Sequence, residues 1–180
     1  EGRSLIYYQM LGLSLLELGK TKEFTDLILK ISKHKYSELT HQKKYLTLLS
    51  LFKAQKYKDV VDGFEALNNS TILTNNSGTR RVLSDVFYYW RARAFLEMGE
   101  YQNALNETFR FRPVNNQASV GYILDHYWPK KDYIKGLAYE GLEDEINARR
   151  SYQDFLSVWS NADNSLPEVV DAKQKLENLR

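Results

Sequence analysis

The chain has 180 residues, of which 43% are hydrophobic and 27% are charged, proportions that are typical of a folded protein and argue against an extended disordered segment. Its 25 basic and 23 acidic residues leave a net charge of +2, which is too small to favour nucleic acid or an anionic membrane as a partner. The absence of cysteine excludes disulfide bonds and cysteine-ligated metal sites, and no apolar run approaches the roughly 20 residues of a membrane-spanning helix.

The sequence begins with Glu1 rather than methionine, so we expect it to be a segment of a longer protein. Targeting signals of that longer chain would not be seen in this segment, and the cytoplasm and the periplasm both stay open as compartments. No direct insertion of the segment into a membrane is expected.

Four regions of the chain share one pattern, in which two runs of apolar residues at three- and four-residue steps flank a short turn. Such steps place the apolar side chains on one face of a helix, so each region is predicted to form two helices. Glycine is common just after a helix because it adopts a positive φ at little cost. The turns centre on Gly19, Gln55, Gly99 and Glu143, and the residues five positions further on, predicted to face the partner helix, are Phe24, Val60, Ala104 and Ala148. We therefore predict four helix hairpins, at about residues 5–34, 41–69, 80–112 and 129–159, with turns 36, 44 and 44 residues apart.

The third hairpin shows the pattern most clearly, in the stretch FYYWRARAFLEMGEYQNAL at 87–105. Ala104 is important there because two helices joined by a short turn approach closely only where a side chain is small. The first helix is predicted to bury Phe87, Trp90, Ala94, Phe95 and Met98, and the second Tyr101, Ala104, Leu105 and Phe109.

Two longer segments connect the hairpins. Asn68–Gly78 is rich in Asn, Ser and Thr and is predicted to be an exposed loop. The segment Pro113–Trp128 contains an apolar run, Val120–Leu124, that is predicted to form a short helical turn. Pro129 is predicted to lie in the first turn of the next helix, where proline needs no amide hydrogen bond.

The last region, about residues 166–179, is predicted to be a helix that caps the open end of the core. Ser165 is a candidate N-cap, Pro167 suits the first turn, and Glu168 is placed for a capping box. The apolar stripe of this helix consists of Val169, Ala172, Leu176 and Leu179.

This succession of small residue, turn glycine, tyrosine and alanine resembles the tetratricopeptide repeat, whose period is about 34 residues. The matching residues are Ala92, Gly99, Tyr101 and Ala104 in the third hairpin, and Gly136, Ala138, Ala148 and Tyr152 in the fourth. The resemblance implies an all-α fold: a right-handed α-solenoid of antiparallel helix hairpins that spans residues 1–180 as one domain, with a C-terminal capping helix. The C-terminal segment is also similar to the closing segment of bacterial tetratricopeptide proteins, which favours a bacterial source.

The resemblance also implies where a partner binds. In this family the first helix of each hairpin lines a concave groove that holds an extended peptide or a helix. The corresponding residues are Gln9, Leu13, Tyr45, Leu49, Tyr89, Arg93, Tyr133 and Leu137. The three tyrosines among them occupy equivalent positions, and the sequence leaves open whether they face the groove or pack between helices.

Catalytic chemistry is not expected, because the sequence contains no nucleophile, phosphate-binding or zinc-protease motif. His34, His41 and His126 lack the spacing of metal ligands, and the acidic cluster at 143–145 is predicted to be a solvated helix cap, so neither a metal nor another cofactor is expected. Basic residues do alternate with aromatic ones around 80–131, but the nearly neutral chain favours solvated faces over a nucleic-acid surface.

The resemblance therefore implies a non-catalytic protein–protein interaction module that binds a protein or peptide partner in its groove. The alternative is a structural spacer or dimerisation arm of a larger bacterial regulator or assembly protein, in which the segment forms a homodimer and the groove is empty.

Overall fold

The computed structural model describes residues 5–33, 40–69, 77–111, 121–159 and 166–179. Within these ranges there are nine helices and no strand, which confirms the predicted all-α class. The helices are α1 (Leu5–Glu17), α2 (Thr21–Ser32), α3 (Thr40–Lys53), α4 (Tyr57–Asn68), α5 (Ser77–Glu97), α6 (Tyr101–Phe109), α7 (Gly121–Gly141), α8 (Glu145–Val158) and α9 (Pro167–Asn178).

The four predicted turns share one backbone geometry. Gly19 and Gly99 have φ values of 68° and 74°, and Gln55 and Glu143 adopt nearly the same conformation at 59° and 60°. The backbone amide of the residue that follows each turn position donates a hydrogen bond to the carbonyl five residues before it. These bonds run from Lys20 to Leu15 at 2.8 Å and, each at 2.9 Å, from Lys56 to Leu51, from Glu100 to Phe95 and from Asp144 to Tyr139. This is the Schellman arrangement of a helix C-terminus. The predicted turn positions are therefore confirmed at all four sites.

The residues five positions after the turns face the partner helix, as predicted. Phe24, Val60, Ala104 and Ala148 are all buried. The acidic cluster at the fourth turn is the predicted helix cap, because the Asp144 carboxylate accepts a hydrogen bond from the backbone amide of Asn147 at 3.1 Å.

Contacts divide the chain into two compact units, Glu1–Leu67 and Asn68–Arg180. In the first unit, α1, α2 and α3 contact one another, and α3 packs on α4 through Tyr45 and Phe64, whose ring centroids are 5.8 Å apart. Gly12 of α1 lies directly against Leu46 of α3, so a small residue is needed at this crossing. The single solenoid over residues 1–180 stays a prediction.

In the second unit, α5 pairs with α6 and α7 with α8, while α7 also contacts α5 and α6, and α9 contacts α8. Ala104, Leu105 and Ala138 form a buried cluster between α6 and α7. A second buried cluster joins α8 to α9 and consists of Ala148, Tyr152, Phe155, Val169 and Ala172. Partly buried residues of α7 pack on it, which ties the last three helices together.

Helix α7 differs from the prediction at its start. It begins at Gly121, so residues 121–124 of the predicted short turn belong to this helix, and Pro129 lies in its interior instead of its first turn. A proline in a helix interior loses the hydrogen bond of its own nitrogen, and its ring crowds the carbonyl four residues earlier, so the position is costly, yet α7 continues through it. Helix α5 likewise begins early, at Ser77, within the predicted loop. Residues 70–76 and 113–120 of the two connecting segments lie outside the described residues.

Two further predictions about individual residues are wrong. Phe109 is exposed, and Thr108 is buried in its place, with its hydroxyl donating to the Leu105 carbonyl at 2.7 Å. Helix α9 has Leu166 as its N-cap and no side-chain cap, and Glu168 pairs with Lys130 of α7 instead of forming a capping box. Ser165 lies outside the described residues.

Candidate functional site

A cavity of about 740 Å³ lies in the second unit and is bounded mainly by α5, α7 and α9. Each of these helices contributes residues at steps of three or four, so each turns one face toward the cavity. The lining consists of Tyr89, Arg93, Leu96 and Glu97 of α5, Tyr133, Ile134, Leu137, Glu140 and Gly141 of α7, Pro167, Glu168, Asp171 and Lys175 of α9, and Tyr101 of α6.

Four of the eight residues predicted from the sequence meet in this cavity: Tyr89, Arg93, Tyr133 and Leu137. Tyr89 is buried in the wall, whereas the other three side chains are partly exposed. Tyr89 and Tyr133 occupy equivalent positions on successive first helices, and both contribute to the wall of the cavity.

The other predicted residues belong to the first unit and lie elsewhere. Leu13, Tyr45 and Leu49 are core residues there, with relative exposures of 4%, 1% and 0%. Tyr45 packs edge-on against Phe64, so packing is the role that its burial supports. Leu13 is buried because α1 contacts both α2 and α3, and Tyr45 and Leu49 are buried because α3 contacts α1, α2 and α4. The pattern of a single helix does not show this packing. Gln9 lies in α1, and its side chain is outside the described part of the chain.

Three polar contacts join α9 to α7 along the cavity. They are Lys130 Nζ to Glu168 Oε1 at 2.7 Å, the Tyr133 hydroxyl donating to Asp171 Oδ2 at 2.7 Å, and Lys175 Nζ donating to both Glu140 oxygens at 3.0 Å. The residue numbers of the paired side chains increase in the same direction along both helices, so α9 runs parallel to α7.

Two tyrosine hydroxyls act as donors to carboxylates around α7. Burial, together with the hydrogen bond to Asp171, raises the pKa of Tyr133 far above its ordinary value. Burial and the hydrogen bond to Glu140 raise the pKa of Tyr152 in the same way. Both phenols therefore stay protonated at neutral pH and remain hydrogen-bond donors.

Arg93 crosses the aromatic part of the wall. Its guanidinium carbon lies 5.9 Å from the ring centroid of Tyr89 and 5.3 Å from that of Trp90, distances at which a cation is attracted to the ring face. Burial alone would lower the pKa of Arg93, but Tyr89, Glu168 and Glu97 outweigh it, and the net shift is upward. Arg93 is therefore positively charged inside the wall.

The polar face of α9 is the part of the site that sequence reasoning missed, because the helix was interpreted only as a cap. Glu168, Asp171 and Lys175 follow one another at steps of three and four, on a different side of the helix from the stripe that begins with Val169 and Ala172. This second periodic set of residues could have indicated a functional face in the sequence, since a helix that only closes a core does not need charged residues at regular steps along a second face.

The pair between Lys130 and Glu168 predicts a specific pH dependence. Burial would raise the pKa of Glu168, but the hydrogen bond and charge of Lys130, with Arg93 adding to them, lower it below the ordinary value of 4.5. A lowered carboxyl pKa stabilises the folded state fully above the unfolded pKa and loses that effect as the pH falls through the folded pKa. The free energy of unfolding of the wild type is therefore expected to exceed that of Glu168→Gln near neutral pH, with the difference closing below pH 4.5.

Urea unfolding of both proteins, measured between about pH 7 and about pH 3, tests this expectation. Glu177→Gln is the matched control, because this carboxylate lies on the same helix and is exposed. A constant difference between wild type and Glu168→Gln over the whole range would contradict the role of the Glu168 charge.

The described residues show neither a metal centre nor a membrane helix. No group of three or more His, Asp or Glu side chains among them is arranged to hold a metal ion. None of the helices described by the structure combines the length and hydrophobicity that a membrane crossing requires. His34 and the side chains of His41 and His126 lie outside the described residues. In comparisons with known proteins, the chain matches no family model, and no curated protein or solved structure is significantly similar to it.

Proposed function

We propose that this chain is a non-catalytic protein-interaction module, built as a right-handed solenoid of tetratricopeptide type, that binds a peptide or helix of a partner protein. The observation that carries the proposal is the cavity in the second unit. The first helices of two successive hairpins, α5 and α7, line it together with α9. Among the described second helices, α6 alone contributes, through Tyr101. A concave wall formed by successive first helices is the expected geometry of such a groove.

Repetition of the local structure supports the proposed class. The four turns have φ values between 59° and 74° and the same hydrogen-bond pattern, although two of them lack glycine. Small residues lie where the helices approach: Gly12 contacts Leu46, Gly63 contacts Leu48, Gly136 contacts Tyr152 and Gly141 contacts Tyr101. Glycine therefore permits close approach both within a hairpin and between neighbouring hairpins, and stacked hairpins are the units from which helical solenoids are built.

The aromatic content of the cavity supports protein binding. Tyr89, Tyr101 and Tyr133 contribute to its wall. Tyrosine side chains present a large surface at a small entropic cost, which is why they are enriched where proteins bind one another. The volume of about 740 Å³ accommodates a few peptide side chains.

A displayed library of random dodecapeptides, selected on the purified chain, tests the proposal. The selected peptides are expected to bind with at least about tenfold lower affinity to Leu137→Trp, because the larger side chain occupies part of the cavity and obstructs the bound peptide. Fluorescence anisotropy of labelled peptides measures the affinity, and circular dichroism establishes that the variant keeps its helical content. Val158→Trp is the matched control, since Val158 is exposed on α8 and does not line the cavity.

Equal binding of the selected peptides to wild type and Leu137→Trp would exclude the cavity as the binding site. Failure to select any peptide that depends on the cavity, combined with a stable dimer in light scattering at micromolar concentration, would favour the dimerisation arm.

A further inference from the structure

We propose that the cavity recognises a basic side chain of the partner, an arginine or lysine, and that Asp171 and the ring of Tyr133 receive it. This inference rests on the proposed function, because it assigns the chemistry of the ligand at the same cavity. Its basis is the balance of charge along the wall and the hydrogen bonding of one carboxylate.

The wall of the cavity is more acidic than the protein as a whole. Glu97, Glu140, Glu168 and Asp171 face two basic residues, Arg93 and Lys175, whereas the complete chain has a net charge of +2. A concave surface with an excess of one charge attracts ligands of the opposite charge, and its low-dielectric walls strengthen that attraction. The cavity therefore favours a basic ligand.

Asp171 differs from the carboxylates beside it in the groups that contact its charge. Glu140 is 3.0 Å from Lys175 Nζ, and Glu168 is 2.7 Å from Lys130 Nζ, so each of these carboxylates has a cation within contact distance. Among the described residues, the hydrogen-bond partner of Asp171 is the neutral hydroxyl of Tyr133, which donates to Oδ2. No cation of the described part of the chain lies within ion-pair distance of Asp171.

Asp171 also has the hydrogen-bonding capacity that the ligand needs. A carboxylate accepts hydrogen bonds at both oxygens, and Tyr133 uses one position on Oδ2. The remaining positions suit the planar guanidinium of arginine, which binds carboxylates with two parallel hydrogen bonds, or the ammonium group of lysine. Asp171 is partly buried at the wall, where such a bond is less screened than at the open surface.

Aromatic rings in the same wall as Asp171 add a second attraction for a cation. Tyr133, its hydrogen-bond partner, contributes to the wall together with Tyr89 and Tyr101. The position of Arg93 near the rings of Tyr89 and Trp90 shows that this wall already accommodates a guanidinium against an aromatic surface. A basic side chain of the partner would meet a carboxylate and an aromatic face at one place.

An acidic peptide fits this wall less well. Lys175 is already bound to Glu140, and Arg93 experiences the negative charges of Glu168 and Glu97. A carboxylate of the ligand would have to replace these partners and would also be repelled by Asp171. The charges of the wall therefore favour a basic peptide over an acidic one.

The composition of the peptides selected on the wild-type chain tests the inference. Arginine and lysine are expected to be enriched relative to the unselected dodecapeptide library among peptides that lose binding to Leu137→Trp. For the tightest of these peptides, exchange of its key arginine for neutral citrulline, or of its key lysine for norleucine, is expected to weaken binding at least about tenfold. The affinity is also expected to fall with increasing salt concentration.

Asp171→Asn identifies the residue that receives the charge, and asparagine still accepts the hydrogen bond from Tyr133. This variant is expected to bind the basic peptide at least about tenfold more weakly and to lose little more when the peptide carries citrulline or norleucine, because both changes remove the same contact. Asp154→Asn, an exposed carboxylate on α8 outside the cavity, is the matched control and is expected to bind as the wild type does. Unfolding by urea establishes that both variants are folded.

The outcomes separate this inference from the proposed function. Neutral or acidic peptides that depend on the cavity would overturn the basic ligand and leave the interaction module standing. Basic peptides that bind Asp171→Asn and the wild type equally would overturn the assignment to Asp171. The absence of any cavity-dependent peptide would contradict the proposed function itself, and the basic ligand with it.

Discussion

Replacing Glu107 with alanine is expected to lower the free energy of unfolding of the second unit by about 3–5 kcal/mol. Glu107 of α6 is buried, and its Oε1 lies 3.2 Å from Nη2 of Arg91 in α5, which is buried as well. The same oxygen lies 3.2 Å from Nη1 of Arg110. Removal of the carboxylate would leave the guanidinium of Arg91 buried without this counter-charge and close to a second positive charge.

Tryptophan fluorescence during urea unfolding measures this effect, because all three tryptophans, Trp90, Trp128 and Trp159, belong to the second unit. Glu100→Ala is the matched control, since Glu100 is an exposed carboxylate at the start of the same helix and makes no side-chain cap. Its replacement is expected to change the stability by less than about 0.5 kcal/mol. A loss below about 1 kcal/mol for Glu107→Ala would contradict the importance of the buried pair.

A double variant separates the cost of an uncompensated charge from the contribution of the pair. Arg91→Met combined with Glu107→Leu replaces both charged groups by apolar side chains of comparable size. Such replacements of buried ion pairs are often neutral or stabilising, so the double variant is expected to be markedly more stable than Glu107→Ala. The pair would then fix how α5 sits on α6 without being the main source of stability.

The turns could be predicted from the sequence because their geometry is local. A helix C-terminus that closes by the Schellman arrangement requires a positive φ, and Gly19 and Gly99 supply it. Gln55 and Glu143 have no such preference, and their positions followed from the spacing of the surrounding apolar residues. Local chemistry and periodicity together therefore placed all four hairpin turns.

Burial by distant elements could not be predicted in the same way. Tyr45 and Tyr133 occupy equivalent positions in the repeat, yet Tyr45 is in the core of the first unit, whereas Tyr133 is partly exposed and contacts Asp171. What packs against the second side of a helix decides between these outcomes, and that information lies far away in the sequence. Pro129 shows the same limit, because the local rule that favours the first turn did not anticipate a helix that continues through it.

The part of the candidate site that lies on the first helices of the hairpins was predicted from the sequence. The repeat pattern placed Tyr89, Arg93, Tyr133 and Leu137 at a common surface, and the cavity contains all four. The pattern did not include α9, because its apolar stripe accounted for the helix as a cap. Asp171 became a candidate only when the contact between its carboxylate and Tyr133 placed it in the wall.

The second large effect concerns the cluster that holds α9 in place. Phe155→Ala is expected to lower the free energy of unfolding of the second unit by about 3–5 kcal/mol, because a large buried side chain is replaced by a cavity. Phe155 is almost fully buried, and its ring centroid lies 5.3 Å from that of Tyr133 and 6.1 Å from that of Trp159. It also belongs to the buried cluster that contains Val169 and Ala172 of α9.

Because Phe155 contacts both Tyr133 and the cluster with α9, its loss is expected to affect the cavity as well as global stability. Amide hydrogen exchange should accelerate in α9 more than in α5 and α6, and basic peptides selected on the wild type should bind more weakly. Val158→Ala, an exposed position on the same helix, should change neither property and should alter stability by less than about 0.5 kcal/mol.

Hydrogen exchange in the Phe155→Ala protein distinguishes two ways of holding the wall of the cavity. If the amides of α9 stay protected from exchange while global stability falls, then the polar contacts from Lys130, Tyr133 and Glu140 hold this helix. That result would contradict the role assigned to the apolar cluster around Phe155. If α9 opens while α5 and α6 stay protected, then the last wall of the cavity depends on packing beneath Tyr133. In that case Tyr133, which donates a hydrogen bond to Asp171, and Phe155, which secures the helix of Asp171, are joined through the contact between their rings.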